Sequence, residues 1–359
     1  MGEFPNDHAP LFRGKGHGGR LANFNRNLEF ASGVWEKRLK LSGCYFDLAM
    51  RIPGILIAAC VFCISTGGQV PAFDPSRVLQ QAISLAKAGE TARARQLAEE
   101  VSTRGSLRAD VQNELGRVYE NLGDTQKAQE AYLRAVELNP HVEDYYLDAV
   151  SLLFLQEQPR KAIELLNNGL QKIPDSYSLT VALGTANQAS DQKPAALGIF
   201  EQAIKMRPDV AKAYVLYGKL ATSLGQTDAA IRTLLKAVEI DAEDARARYY
   251  LGSAYLAAGQ PDSKPLAEFQ KALDIDPHYA PARYELAKGL ERQSKFREAV
   301  DEYCRALKDD PSLVQVYYRL YRSYTRLGQK EKAQRALKMF RTQQKNKRAV
   351  TPTSHPGEP

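Results

Sequence analysis

The sequence predicts an all-α fold, a solenoid of about eight helix-turn-helix repeats over residues 75–347. Three observations lead to this prediction. The chain repeats itself about every 34 residues, small residues recur at fixed positions of that repeat, and apolar residues lie three and four apart within it. Because each repeat packs only on its neighbours, a length of 359 residues does not require several globular domains.

The smallest residues fix the register of the repeat. Position 20 is alanine in seven of the eight repeats and Pro265 in the sixth, and position 8 is glycine in four of them. Small residues at these two positions predict that the two helices of a repeat approach each other closely. The repeats, with one inserted residue near Pro261, are 75–108, 109–142, 143–176, 177–210, 211–244, 245–279, 280–313 and 314–347.

Each repeat also carries signals for where its helices end. A glycine falls between the two helices in five repeats, which predicts a left-handed cap on the first helix. A proline at position 32 follows the second helix in five repeats and cannot continue it. These prolines are Pro140, Pro174, Pro208, Pro277 and Pro311.

The spacing of Leu115-Gly116, Tyr119, Ala128, Tyr132 and Pro140 resembles the tetratricopeptide repeat family. The resemblance covers about 273 residues and is weakest in the first repeat, which lacks the aromatic residue and the proline. It implies a right-handed superhelical solenoid. It also implies a non-enzymatic scaffold that binds a partner protein or peptide in the concave groove.

The same resemblance places positions 2, 5, 9 and 12 of each repeat on the groove. Tyrosines at position 5 and basic residues at position 9 supply rigid contact area and positive charge. The alternative is that the tyrosines pack inside the repeats, because a one-residue shift of register would bury them. The candidate partner-binding residues are Lys219, Tyr249, Tyr284, Lys288, Tyr318 and Arg322.

Charge indicates the kind of partner. Residues 280–347 hold 17 Lys plus Arg against 8 Asp plus Glu, which favours an acidic protein or peptide, although such a run is also typical of a solvated face. An RNA-binding helical repeat and a regulatory subunit of a membrane or envelope complex are the alternative functions. We do not expect a nucleic acid partner, because the first helices of the N-terminal half are acidic. Their acids include Asp110, Glu114, Asp144 and Asp148.

The first 72 residues read as a targeting region. Residues 1–49 show no helical or strand period and are expected to be a disordered leader, or to lie upstream of a true start at Met50. Residues 50–72 resemble a signal peptide or a signal-anchor, because a basic residue precedes a short apolar run. We therefore expect export, or anchoring through residues 52–66 with the repeats outside the cytoplasm; a cytoplasmic protein is the alternative.

No pattern in the chain predicts catalysis. The five histidines share no metal-ligand spacing, and the GKGHGG stretch at 14–19 lacks the strand and helix of a phosphate loop. Cys304 is the one cysteine of four inside the repeats, so no disulfide framework is expected. We expect no enzyme activity, no metal and no cofactor. The oligomeric state stays open, and residues 348–359 are predicted to be a disordered tail.

Overall fold

The computed structural model describes residues 73–104 and 108–350, which contain sixteen helices and no strand. The all-α prediction is therefore confirmed for these residues. They fall into two compact units, one ending at Leu179 and the other beginning at Thr180. The predicted leader, the signal segment and residues 351–359 lie outside the described residues. None of the described helices is long and apolar enough to span a bilayer.

The helices follow one another in pairs. The first unit contains α1 (Pro75–Lys87), α2 (Thr91–Thr103), α3 (Ala109–Asn121), α4 (Thr125–Leu138), α5 (Glu143–Leu155), α6 (Pro159–Lys172) and the start of α7 (Tyr177–Ala189). The second unit continues with α8 (Lys193–Met206), α9 (Ala211–Ser223), α10 (Thr227–Ile240), α11 (Ala245–Ala257), α12 (Ser263–Ile275), α13 (Ala280–Arg292), α14 (Phe296–Asp309), α15 (Val314–Arg326) and α16 (Lys330–Val350). Odd-numbered helices are the first helices of their pairs, and even-numbered helices are the second.

Small residues let the two helices of a pair approach closely, as the register predicts. A Cβ added at Gly184 on α7 would lie 2.4 Å from the Phe200 ring on α8, and one added at Gly218 on α9 would lie 2.4 Å from Leu234 on α10. The seven position-20 alanines are at most 4% exposed. They are Ala94, Ala128, Ala162, Ala196, Ala230, Ala299 and Ala333.

Pro265 replaces the position-20 alanine in the sixth pair without breaking a helix. The inserted residue delays the start of α12 to Ser263, so Pro265 is its third residue. The amides of a first helical turn have no partner within the helix, so the missing N–H of proline costs nothing there.

Every pair turns through a residue with positive φ. Glycine takes this conformation in five pairs, for example Gly225 with φ 74°. Glu157, Asp191 and Ser294 take it in the other three, with φ between 56° and 62°. The left-handed cap is therefore general, although the sequence signalled it only where glycine is present.

The second helices end where the prolines predict. α4 ends at Leu138, and Pro140 follows after one residue. The last helix is different, because α16 runs to Val350 without a proline. It thus continues past residue 347, at which the sequence predicts the end of the repeat array.

Candidate partner-binding surface

The candidate residues all lie on first helices of the second unit. We call the solvent-facing side chains of α9, α11, α13 and α15 the first-helix surface. α9 packs against α11 as well as against its own partner α10, so these two first helices adjoin. The three candidate tyrosines of this surface contact aromatic rings of the second helices α12, α14 and α16.

Tyr249 on α11 is the centre of an aromatic cluster. Its ring centroid lies 5.1 Å from that of Tyr250, 5.8 Å from Phe269 and 5.5 Å from Tyr279. Burial raises the pKa of Tyr249 to about 12. Its ring therefore packs mainly between helices.

Tyr284 and Lys288 form one turn of α13. The Tyr284 ring is half-buried, with its centroid 5.9 Å from that of Tyr303 on α14. The Nζ atom of Lys288 lies 5.3 Å from the Tyr284 centroid and 2.8 Å from Glu285 Oε2. The charge of Lys288 is thus already neutralised within its own helix.

Tyr318 and Arg322 on α15 are the exposed members of the set. Tyr318 is 43% exposed, and its ring lies 5.4 Å from Phe340 on α16 and 5.9 Å from Tyr321. Arg322 Nη2 lies 3.4 Å from Glu291 Oε1. This end of the surface presents an aromatic face next to a guanidinium that still has 47% of its side chain exposed.

Lys219 on α9 is half-buried and has an aromatic neighbour. Its Nζ atom lies 5.6 Å from the Tyr250 ring centroid. Burial lowers its pKa. Among residues 73–104 and 108–350, no carboxylate oxygen lies within 4.0 Å, the distance of an ion pair, of the Lys219 ammonium group.

The six candidates therefore do not form one uniform groove. Tyr249 and Tyr284 pack against other aromatic rings, as expected if the tyrosines lie inside the repeats. Lys288 has an acidic partner. Tyr318, Arg322 and Lys219 keep surface or charge that a partner can use. Their role in binding stays a prediction.

Sequence reasoning missed two cations beside Lys219. Lys212 is residue 2 of α9 and Arg246 is residue 2 of α11, and both are half-buried. Burial and the charge of Arg246 lower the pKa of Lys212 to about 8. Position 2 is a groove position in the family resemblance, so reading that position along the repeats could have found this pair.

A buried carboxylate on α13 was also missed. The side chain of Glu291 is 8% exposed and lies 3.4 Å from both Arg319 and Arg322 of α15. It also accepts a hydrogen bond of 2.9 Å from the Tyr303 hydroxyl. Glu120 accepts the same bond from Tyr132 in the second repeat, so glutamate at position 12 with tyrosine at position 24 is the sequence signal.

The first unit carries the opposite charge on its first helices. Asp148 on α5 accepts hydrogen bonds from Asn113 and Arg117 on α3, at 2.8 and 2.7 Å. Burial raises the pKa values of Glu114 and Asp144. Of the acids read from the sequence, Glu114 and Asp148 are thus half-buried, whereas Asp110 and Asp144 are exposed.

Within the described residues, no three His, Cys, Asp or Glu side chains cluster as metal ligands do. Cys304 is half-buried, with its Sγ atom 4.0 Å from the Tyr324 hydroxyl, and burial raises its pKa. A thiol with a raised pKa is a poor nucleophile.

Two stretches of the chain match models of one family. Residues 109–142 match a model described as tetratricopeptide repeat, and residues 218–259 match one described as TPR repeat. The first match coincides with the second repeat of the register.

Curated relatives are distant and much longer. The human protein O-mannosyl-transferase TMTC3 is 24% identical over 209 residues, which are 57% of this chain and 21% of that protein. Anaphase-promoting complex subunit 3 of Schizosaccharomyces pombe is 26% identical over 197 residues, 55% of this chain and 29% of that protein. The chain thus spans less than a third of either relative.

Among solved structures, the APC/C hetero-tetramer Cut9-Hcn1 is similar with a TM-score of 0.52 at 14% identity. The likeness covers 67% of this chain and 48% of that chain and concerns the fold alone. The two family matches, with the helix pairs built around buried alanines, show that the chain contains tetratricopeptide repeats.

Proposed function

We propose that the chain is a non-enzymatic scaffold that binds a partner protein or peptide on the first-helix surface of its second unit. The observation that carries this proposal is Tyr318. Large aromatic side chains that are 43% exposed and stand beside a guanidinium are typical of binding energy hot spots. Tyrosine adds contact area with few rotatable bonds, so ordering it on binding costs little entropy.

The names of the relatives support a role in an assembly. The Schizosaccharomyces pombe relative is a subunit of the anaphase-promoting complex, and a Caenorhabditis elegans relative at 24% identity is a BBSome complex member. The transferase named for the human relative is not extended to this chain, because the match spans 21% of that protein.

A peptide selection tests the proposal. A library of random twelve-residue peptides displayed on phage is selected against the immobilised full chain, and enriched sequences are synthesised with a fluorescent label. We expect enriched peptides whose affinity, measured by fluorescence anisotropy, falls at least tenfold in Tyr318→Ala.

The matched control is Leu235→Ala. Leu235 is 46% exposed but lies on α10, a second helix, so its loss removes similar apolar surface outside the first-helix surface. Equal affinity of the peptides for wild type and Tyr318→Ala would contradict the assigned surface. Failure to enrich any peptide would contradict peptide binding itself.

One observation favours the second candidate, an RNA-binding helical repeat. α16 carries six cations in residues 330–346 with Glu331 as its single acid, and none of the six forms an ion pair with any described residue. These cations are Lys330, Lys332, Arg335, Lys338, Arg341 and Lys345. A steep fall of oligouridine affinity with salt, and its loss in Lys338→Gln/Arg341→Gln, would establish this function.

We further propose that the chain is exported, or anchored with its repeats outside the cytoplasm. The support is the sequence of residues 50–72. N-terminal sequencing of the native protein with cell fractionation tests this. A mature start near Phe73 in an extracytoplasmic fraction agrees with export, an intact N-terminus in membranes agrees with anchoring, and an intact N-terminus in the cytosol contradicts both.

A further inference from the structure

Negative charge is concentrated on α3 and α5, two first helices of the first unit. Together they carry six acidic residues against one basic residue, Arg117. Asp110 and Glu114 are four residues apart on α3. Asp144 and Asp148 have the same spacing on α5, so each pair lies on one face of its helix. We call these four residues the acidic cluster.

Two carboxylates of the acidic cluster have a cationic partner and two have none. Asp148 forms an ion pair of 2.7 Å with Arg117, and Asp110 is paired with the arginine that precedes α3. Neither Glu114 nor Asp144 forms an ion pair with any described residue. Because Glu114 is half-buried, its charge is partly removed from water without a compensating cation.

Asn113 on α3 supplies a second and independent observation. Its side chain is 4% exposed, and its Nδ2 atom donates a hydrogen bond of 2.8 Å to Asp148 Oδ2. The amide group therefore lies within the acidic cluster, between the two helices. The Oδ1 atom of the same amide has no hydrogen-bond partner among the described residues, and neither has Oε2 of the adjacent Glu114. A buried acceptor without a donor costs free energy, which an incoming N–H group would recover.

Tyr145 on α5 adds an aromatic ring to the acidic cluster. The side chain is half-buried. Burial raises the pKa of its hydroxyl, and the charges of Asp110 and Asp144 raise it further, so the ring stands close to both helices of the cluster. An aromatic face attracts a cation through its quadrupole, in addition to the attraction by the carboxylates.

The helices offset only part of this negative charge. Asp144 is the second residue of α5, where the helix dipole favours an acid. Glu114 is the sixth residue of α3, beyond the first turn, so the dipole stabilises it little. Burial raises the pKa of both carboxyl groups, which is the direction expected for acids without a cation.

We propose that Glu114, Asp144 and the amide oxygen of Asn113 receive one basic side chain of a partner protein. The guanidinium or ammonium group lies between the two carboxylates, next to the Tyr145 ring, and donates to oxygens that lack a donor. Rotation about the side-chain bonds of Glu114 turns its carboxylate to the incoming cation without moving the backbone. This inference goes beyond the proposed function, because it adds a surface of opposite charge in the first unit.

A basic side chain matches the acidic cluster better than a metal ion does. The described residues contain no three His, Cys, Asp or Glu side chains placed as metal ligands. A calcium ion takes about six to eight oxygen ligands, whereas a guanidinium needs a few acceptors around one plane. Two carboxylates and one amide oxygen from two helices satisfy the second requirement.

A peptide selection in a modified background tests the inference. A phage library of random twelve-residue peptides is selected against the immobilised Tyr318→Ala chain and depleted on the same chain carrying Glu114→Gln/Asp144→Asn. The remaining peptides should share one arginine or lysine. Replacing that arginine by its neutral isostere citrulline, or the lysine by glutamine, should weaken binding at least tenfold in fluorescence anisotropy, as should the double substitution.

The matched control is Glu130→Gln/Glu164→Gln. It also removes two negative charges from the first unit, but both residues are exposed and lie on the second helices α4 and α6. It should bind the basic peptide as the parent chain does. Circular dichroism checks that both double variants are folded. The citrulline peptide tests the inference without any substitution in the protein, and raising the salt concentration should weaken the arginine peptide more than its citrulline form.

The outcomes separate this inference from the scaffold function. Enriched peptides without a shared basic residue, equal affinity of the arginine and citrulline peptides, or an equal loss in the control variant would overturn the basic-side-chain site. Peptides that enrich on wild type but not on Tyr318→Ala would overturn it too, while leaving the scaffold function standing. Calcium that binds alone in isothermal titration calorimetry, with binding lost in Glu114→Gln/Asp144→Asn, would replace the side chain by a metal ion.

Discussion

Two helical glycines of the fourth repeat should respond to the same substitution with opposite signs. Gly184 on α7 lies against the Phe200 ring, where an added Cβ would be 2.4 Å from Cε1 and 2.7 Å from Cδ1. Gly198 on α8 is exposed, and an added Cβ would meet nothing within 4 Å. Both substitutions to alanine gain the same helical propensity, so their difference measures packing.

The magnitude follows from the distances. Carbon atoms pack at about 3.5–4.0 Å, so Gly184→Ala must displace the Phe200 ring by roughly 1 Å. That ring is 0% exposed, so it has no solvent-filled space to move into. Overpacking costs about 1–3 kcal/mol, and the gain from glycine to alanine in a helix is about 0.5–1 kcal/mol. We expect Gly184→Ala to lose about 0.5–2 kcal/mol and Gly198→Ala to gain about 0.5–1 kcal/mol.

Urea denaturation followed by circular dichroism at the helical band measures both changes. The data should be fitted with nearest-neighbour coupling, because repeats can unfold in part. A double-mutant cycle with Phe200→Ala isolates the contact between the added methyl group and the ring. The first repeat already has alanine at both equivalent positions, Ala82 and Ala98, which belong to one core cluster. In the Phe200→Ala background, Gly184→Ala should become stabilising. If it stays as destabilising as in wild type, the close approach is not the cause.

The same structure leads to three further predictions. Asp191→Gly should raise the free energy of unfolding by relieving a positive φ of 60°, whereas Gly225→Ala should lower it by about 1 kcal/mol; equal effects would contradict the strain argument. Tyr303→Phe should cost about 1–2 kcal/mol by removing the hydroxyl bound to Glu291, and an unchanged midpoint would show that this bond contributes nothing. The folded-state pKa of Lys212 is about 8, below its ordinary 10.5, so the unfolded chain binds more protons between these values. Stability should therefore rise with pH across that interval in wild type, and Lys212→Met should lack this rise; identical pH profiles of the two proteins would refute it.

Much of the fold could be predicted from the sequence because its determinants are local. The alanine at position 20 and the proline at position 32 act within one repeat, so their spacing along the chain carries the information. The exceptions also have local causes. Pro265 is tolerated because an inserted residue moves the start of α12. Asp191 adopts the positive φ of the turn although it is not a glycine.

The candidate surface could be predicted only in outline. The position of a residue in the repeat predicts which face of its helix it lies on. Its burial and contacts, however, depend on residues of other helices. Tyr284 packs on Tyr303, and Glu291 forms ion pairs with two arginines of the following repeat. Such contacts depend on how one helix is rotated against the next, which the repeat pattern leaves undefined.

The pairing of helices that are neighbours in the chain also determines how the protein responds to mechanical load. Among the described residues of each unit, helices pack mainly on those adjacent in sequence. A pulling force on one end would release one helix pair at a time. Each released repeat of about 34 residues would span about 110–120 Å at full extension. We therefore expect the protein to unfold in small steps under load and to refold in the same steps when the load is removed.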